Sequence, residues 1–356
     1  MRRTSVAVIG GGMAGISLAG RASADFDVSV LEAESQPAYH SSGRSAAVAI
    51  ENYENEVVRA LTVPGMDYQR AHGAKPIGCV TLADPEHLDD LADFETTWAP
   101  LSGTLVEMPV QALLDRVPII RPERVARVLI ETQALSLDAH AVLESFRRQL
   151  LANGGRLIGN ARIDRIERRD GCWEVAWNGH SLRADILVDA AGAWGDEVAA
   201  LAGVTPLGLQ PFRRTAFLVD PGMDVTGWPL VHRAQGGLYF KPEGGQLLVS
   251  LAEATPSVPC DAQPEELDLA TAVDRFQTLT TLEVRRLSHS WAGLRTFLPD
   301  GFPAAGFDPE VPDFFWLVGQ GGFGIQTAPT LSEVAATLLG GGDHPLAGRI
   351  NPGRCR

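Results

Sequence analysis

The chain opens on an apolar, β-rich run, Ser5–Ile9, followed by glycines and a helical alternation of small and apolar residues. A second β-rich run at 28–31 ends on an acid, so the first 32 residues predict strand, turn, helix and strand. Residues 40–47 open a short helix. Residues 55–72 and 85–97 have helical texture, with a strand at 77–83 between them. Asp138 is the cap of a helix running through Leu151 and stopping at Asn153-Gly154-Gly155. Strands follow at 156–158, 163–168, 173–177 and 186–189. From about Leu207 apolar residues alternate with period two, at 208–219, 238–242, 246–252 and 284–293, with Glu243-Gly244-Gly245 as a hairpin turn. The first pattern then returns: a strand at 314–318, a glycine turn at 319–324 and a helix at 325–339. The expected fold is α/β (α+β). A discontinuous Rossmann-like nucleotide domain spans 1–75, 140–206 and 296–356, and an inserted antiparallel-sheet substrate domain spans 76–139 and 207–295.

Gly10, Gly12 and Gly15 have the spacing of the dinucleotide fingerprint, and Glu32 closes the second strand 22 residues after Gly10. Gly10 permits the tight turn, Gly12 lets backbone amides approach a pyrophosphate, and Gly15 lets the helix pack closely on the sheet. The helix N-terminus offers unpaired N–H groups to the phosphates, and Glu32 is placed to accept hydrogen bonds from a ribose. Glycine turns alone are common. Strand, helix and acid together point to an ADP-containing cofactor. HSSGRSAA (Ser41, Ser42, Gly43, Arg44, Ser45, Ala46 and Ala47 after His40) lies where it lines the rest of that cofactor. The run 186–189 ends in Ala190-Ala191-Gly192-Ala193-Trp194, which suits close backbone approach to the cofactor, though alone it reads as an ordinary strand-to-helix turn. The turn Gly319-Gln320-Gly321-Gly322-Phe323-Gly324 opens a helix whose amides face a developing negative charge.

At 356 residues and 45% hydrophobic, the chain can bury a large core in two domains. A net charge of −14 argues against nucleic acid or an anionic membrane as partner. Cys79, Cys172, Cys260 and Cys355 are scattered without a CxxC, and the histidines show neither HxH nor HExxH, so reduced thiols and no metal are expected. The opening MRR resembles a secretion signal. The nucleotide motif explains the same residues better, since cleavage would delete the first strand and turn. No run of 18 apolar residues exists, and the expectation is a soluble, cytoplasmic protein.

Taken together, these motifs resemble the D-amino acid oxidase family of FAD flavoproteins, which includes sarcosine and glycine oxidases. The likeness is nearest to the bacterial FAD-dependent D-arginine dehydrogenase type. It covers nearly the whole chain and runs through YHSSGRSAA, Tyr53, LAGVTPLGLQPFRRTAF, LYFKP, QPEELDLAT, WAGLRTF and FFWLVGQGGFGIQT. The resemblance implies FAD as cofactor, with Met13, Ala14, Ala33 and Ile163 beside it and Gly322, Phe323, Gly324, Ile325 and Gln326 at its flavin end. It implies oxidation at Cα of an amino acid, of D configuration, with hydride passing to flavin N5. Arg295 and Arg214 match carboxylate-binding arginines, Tyr239 matches a tyrosine that assists them, Tyr53 an aromatic that closes the site, and Gly321 a carbonyl for the substrate amine. Arginine suits a carboxylate because its planar fork binds two oxygens. Strand neighbours alternate faces, so at most one of Arg213 and Arg214 enters a cleft. The resemblance selects Arg214.

The departures are informative. Residues 296–306 lack the cysteine through which sarcosine oxidases tether FAD, so FAD is expected to be non-covalent. Val48 and Ile50 stand where the D-arginine type has a histidine, and 76–79 lacks its acid, which favours an apolar or small substrate side chain over a cationic one. Glu51 is the one acid nearby. The same clamp also suits a secondary amino acid such as sarcosine or proline, or a 2-hydroxy acid. A flavin-binding protein without turnover is the non-enzymatic alternative. Whether oxygen or a quinone accepts the electrons is open.

Overall fold

The computed structural model describes residues 3–356; Met1 and Arg2, the start of the basic opening, lie outside the described residues. Ser5–Ile9 lies inside a six-stranded sheet ordered Ala304–Phe307, Phe314–Val318, Ile186–Asp189, Ser5–Ile9, Asp27–Leu31, Arg156–Ile158. All neighbours run parallel except the edge pair Ala304–Phe307 and Phe314–Val318. Parallel strands buried on both faces need continuous apolar runs, and Phe314–Val318 is buried at every position. Helices Met13–Ala22, Ala139–Ala152 and Gly324–Leu339 share a core on one face with Val6, Val8, Val30 and Phe315. A three-stranded antiparallel sheet (Arg165–Arg169, Cys172–Trp177, His180–Ala184) covers the other through Trp173, Val175 and Trp177. The helix expected after Asp138 forms, with Asp138 Oδ1 accepting from the Ala141 amide at 2.8 Å. Such a cap stabilises by about 1 kcal/mol.

A nine-stranded sheet carries Gln210–Val219, with His289–Phe297 and Gln246–Ser250 beside it, then Tyr239–Glu243, Leu230–Arg233, Cys79–Ala83 and Arg127–Glu131. Its far face packs on the helix Glu266–Leu279 through Phe240, Phe217, Val249 and Phe276. Gly244 and Gly245, at φ 58° and 81°, make the expected two-residue hairpin between Tyr239–Glu243 and Gln246–Ser250, a conformation that favours glycine.

Four expectations need correction. The last period-two strand runs His289–Phe297 rather than 284–293, because Val284 and Leu287 pack on the core from a segment that pairs with no strand. The sheet is not wholly antiparallel: Leu230–Arg233 runs parallel to Cys79–Ala83. The strand expected from Ile163 begins at Arg165. The stretch 55–72 breaks at Pro64 into Glu56–Thr62, a 3-10 turn Val63–Gly65, and Met66–Ala71. Among the described residues no helix is long and apolar enough to cross a membrane, and no group of three or more His, Cys, Asp or Glu could hold a metal.

Candidate active site

A cleft with about 1800 Å³ of space, counted out to solvent, runs from the carboxyl end of the parallel sheet to the near face of the nine-stranded sheet. At the first βα turn Gly10 has φ 108°, and a Cβ there would lie 2.4 Å from the Ala190 carbonyl oxygen. A Cβ on Gly15 would lie 2.0 Å from the Gly10 oxygen, so helix, turn and neighbouring strand meet with no room for side chains. Gly12 caps the helix with no side chain, and Ser42 Oγ accepts from the Met13 amide at 2.9 Å. This leaves the positive end of the helix facing the cleft. Glu32 accepts from the amides of Gly11 at 2.7 Å and Glu34 at 2.8 Å, which fixes the carboxylate while lone pairs remain for a ribose. Ala14, Ala33, Ser41, Ser45, Ala46, Ile163 and the turn Ala190, Ala191, Gly192, Trp194 also line this part. The open helix end and the fixed acid fit the pyrophosphate and ribose of FAD.

Gly321, Gly322, Gly324 and Ile325 line the opposite end, beside Arg214, Tyr239 and Arg295. Gln210–Val219 and His289–Phe297 pair so that Arg214 faces Gly293 and Phe212 faces Arg295, which puts both arginines on the cleft side. Alternation sends Arg213 the other way, to an ion pair with Asp268 at 3.0 Å and another with Glu265. A bulge shapes the ladder here. Residues 251–254 stand opposite Arg214 and Thr215 alone, between the pairs Ala216–Ser250 and Arg213–Thr255. Side chains replace the missing rungs: the Glu253 carboxylate accepts from the Thr215 amide, and Ser250 Oγ donates to the Thr215 carbonyl at 2.7 Å. Arg214 Nε donates to the Glu253 carbonyl at 2.5 Å, which aims the rest of the guanidinium into the cleft.

Arg295 is held from two sides. Its Nη1 donates to Tyr53 Oη at 3.1 Å, and its guanidinium lies where a Gly322 side chain would stand, 2.6 Å from a Cβ built there. The Gly321 amide donates to the Thr296 carbonyl at 2.9 Å, which pins the glycine turn to the arginine strand. Among the described residues neither Arg214 nor Arg295 is ion-paired with a carboxylate, and both are half-buried in the cleft wall. Burial, then the like charge of Arg295, holds the Arg214 guanidinium below its ordinary value. Burial works against the charge of Arg295, but Tyr53 and Tyr239 outweigh it and hold that guanidinium above its ordinary value. Burial likewise opposes ionisation of Tyr53, and Arg295 and Arg214 overcome it, leaving the phenol below its usual value. Two partly desolvated cations with no carboxylate in ion-pair contact make a receptor for an anion.

Some expected residues stand behind the wall instead. Phe323 packs its ring against Tyr53 and Phe297. Gln326 bonds the backbone of Ile50 and the Thr62 hydroxyl. Gly43 lies under the Ala38 carbonyl with no room for a Cβ, and the Ala47 carbonyl accepts from the Leu137 amide. Arg44 borders the cleft as expected, with its guanidinium bonded to the protein. Its guanidinium donates to the carbonyls of Ala262 at 2.8 Å and Ala292 at 3.1 Å and pairs with Asp261, tying the 3-10 turn Ser41–Arg44 to the strand His289–Phe297 and to residues 261–262. Ala216, Gly293, Gln320 and Arg162 also line the cleft, although no motif in the sequence marks them as site residues. Two-residue steps from Arg214 and Arg295 would have found the first two; the others sit on loops with no periodic signal.

The family is that of the FAD-dependent oxidoreductases named DAO, whose model matches residues 5–338, and the chain belongs to it. FAD is its cofactor. Among proteins it is similar to, glycine oxidase of Pseudomonas putida is 25% identical over 95% of this chain and 95% of its own length. FAD-dependent oxidoreductase domain-containing protein 1 of Xenopus laevis is 28% identical over 45% of this chain. The match covers only 35% of that relative's length. In fold, the chain is similar to L-proline dehydrogenase from P. horikoshii, at a TM-score of 0.87 and 19% identity, covering 99% of this chain and 98% of that one.

Proposed function

We propose that the protein oxidises a D-amino acid with an apolar or small side chain at Cα, giving an imino acid that water hydrolyses to a 2-oxo acid and ammonia. The observation that carries this is the pair of half-buried guanidiniums of Arg214 and Arg295, neither ion-paired with a carboxylate among the described residues, facing one cleft beside the glycine turn. They hold the substrate carboxylate. Tyr239 borders the same space, Tyr53 orients Arg295, and the Gly321 carbonyl, at the turn bridged to Thr296, is the acceptor for the amine, so that Cα is fixed between clamp and turn. FAD, when bound, supplies the hydride acceptor at N5. The amine must lose its proton as the Cα hydride leaves; the released imine carbon then adds water and expels ammonia.

The side-chain preference is supported by a cluster in which Ile50, Cys79, Ala134 and Leu230 pack with Val48, Ile77, Tyr53 and Tyr239. Glu51 turns away, to Arg59 Nη2 at 3.4 Å. A cationic side chain would find the neighbouring acid Glu131 already bonded to the Glu51 and Asn52 amides, whereas an apolar one gains about 0.8 kcal/mol per buried methylene. The D configuration follows the resemblance of WAGLRTF and LYFKP to D-amino acid enzymes. Anaerobic mixing of the yellow protein with substrate reads the reaction directly. D-Leucine is expected to bleach the flavin faster than L-leucine, D-arginine, sarcosine or proline. Faster bleaching by sarcosine or proline would make the substrate a secondary amino acid, and bleaching by none would refute the oxidation.

A further inference from the structure

Glu131 ends the strand Arg127–Glu131 and is 2% exposed. Its Oε1 accepts from the Glu51 amide at 2.7 Å; its Oε2 accepts from the Asn52 amide at 3.0 Å and from Asn52 Nδ2 at 2.8 Å. Among the described residues no cation is ion-paired with it. The groups facing it are Cys79, opposite in the ladder, Leu105 on the other side, and Glu51, whose own carboxylate is turned to Arg59. Segment 50–54 has no regular structure of its own. Gln326 touches Ile50 only through long bonds of 3.3 and 3.4 Å, so Glu131 is the main anchor of Glu51 and Asn52. The next residue is Tyr53, which meets Arg295.

We propose that Glu131 is a positioning residue: it grips the backbone at Glu51 and Asn52 so that Tyr53 holds Arg295 against the substrate carboxylate. A carboxylate suits this task because its two oxygens accept all three donors at once, whereas an amide would turn an N–H₂ toward one of them. A buried carboxylate without a cation is otherwise expensive, and function is the reason to keep it. The proposal rests on the oxidation described above for what Arg295 does, but not for the grip itself.

Both parts are measured on the FAD-loaded full chain at pH 8.5, where Glu131 is ionised although burial raises its carboxyl to about 7, parent against Glu131→Gln. Amide exchange at Glu51 and Asn52 is expected to accelerate tenfold or more, while amides of the Cys79–Ala83 ladder keep the parent rate. With D-leucine, kcat/KM should fall at least tenfold at unchanged flavin content. In a Tyr53→Phe background the same change should have little further effect, because the hydroxyl it positions is gone. Glu131→Asp, which keeps both oxygens, should retain more activity than Glu131→Gln, and it replaces that variant if the latter does not fold. Unchanged exchange at 51 and 52, acceleration spread over the ladder, or an equal loss in the Tyr53→Phe background overturns the proposal. If the parent oxidises no amino acid, exchange confined to 51 and 52 still supports the grip while the oxidation fails.

Discussion

Gly322→Ala should damage the reaction without unfolding the protein. A Cβ built on Gly322 lies 2.6 Å from Arg295 Cζ, 2.7 Å from Nη1 and 2.8 Å from Nε. Ordinary carbon contacts begin near 3.5 Å, so the guanidinium must retreat by roughly 1 Å. The backbone itself tolerates alanine, because Gly322 is not among the glycines with positive φ. The clash is with the end of a flexible side chain, so folding should lose little. The clamp loses its geometry: a displacement of about 1 Å can cost roughly a hundredfold in rate, equivalent to about 2.7 kcal/mol. Steady-state kinetics with D-leucine, flavin absorbance and a thermal melt make the assay. The expected result is kcat/KM down ten- to a hundredfold with flavin content and melting temperature near the parent values. Gly348→Ala, at a site with nothing within 4 Å of the added carbon, is the control. Parental kcat/KM in Gly322→Ala, or a loss that tracks loss of flavin, would refute the reasoning.

Arg214→Ala should cost about 1.5–3 kcal/mol or more in transition-state binding, read from kcat/KM, whereas Arg213→Ala breaks outward ion pairs and should leave kcat/KM nearly intact. FAD should leave on acid precipitation, since residues 296–306 contain no cysteine to tether it; colour remaining in the pellet contradicts this. Gly12→Leu should yield mostly apoprotein, its side chain entering the space before Ser42, as flavin content per chain will show. Burial pushes the Glu131 carboxyl up to about 7. Its folded value therefore exceeds its unfolded one, and the stability it contributes is complete below about pH 4.3 and lost as pH rises through about 7. The ceiling for one such group is about 3–4 kcal/mol. Urea midpoints of parent and Glu131→Gln at pH 5 and pH 8 should diverge accordingly, and a gap independent of pH would contradict the assignment.

The nucleotide half was legible because its marks are local: Gly10, Gly12, Gly15 and Glu32 sit within one strand-helix-strand unit, and alternation separates Arg213 from Arg214. What stayed hidden depends on partners far along the chain. No local pattern announces that residues 251–254 bulge opposite Arg214, or that Glu253 and Ser250 replace two ladder bonds. Asn52 and Glu131 meet across 79 positions, and neither belongs to a motif. The bonds of Arg44 are hidden for a related reason: the carbonyls that claim its guanidinium come from residues 262 and 292. Val284 and Leu287 are apolar because they cover a core, and apolar residues spaced along an extended loop resemble the start of the strand that follows.

The order of strands around Ser5–Ile9 also governs how the protein is made. One neighbour, Asp27–Leu31, leaves the ribosome at once, but the other is Ile186–Asp189, and Phe314–Val318 comes later still. At translation rates of about 5–20 residues per second, one side of the first strand waits roughly 10–30 s for its partner, an interval in which an apolar edge is open to wrong pairings. The flavin site has the same history, since its phosphate end forms around Gly10 and its ring end around Gly321. The cleft cannot close until the turn at 319–324 and the helix Gly324–Leu339 have been made, so tight cofactor capture has to wait for that late segment.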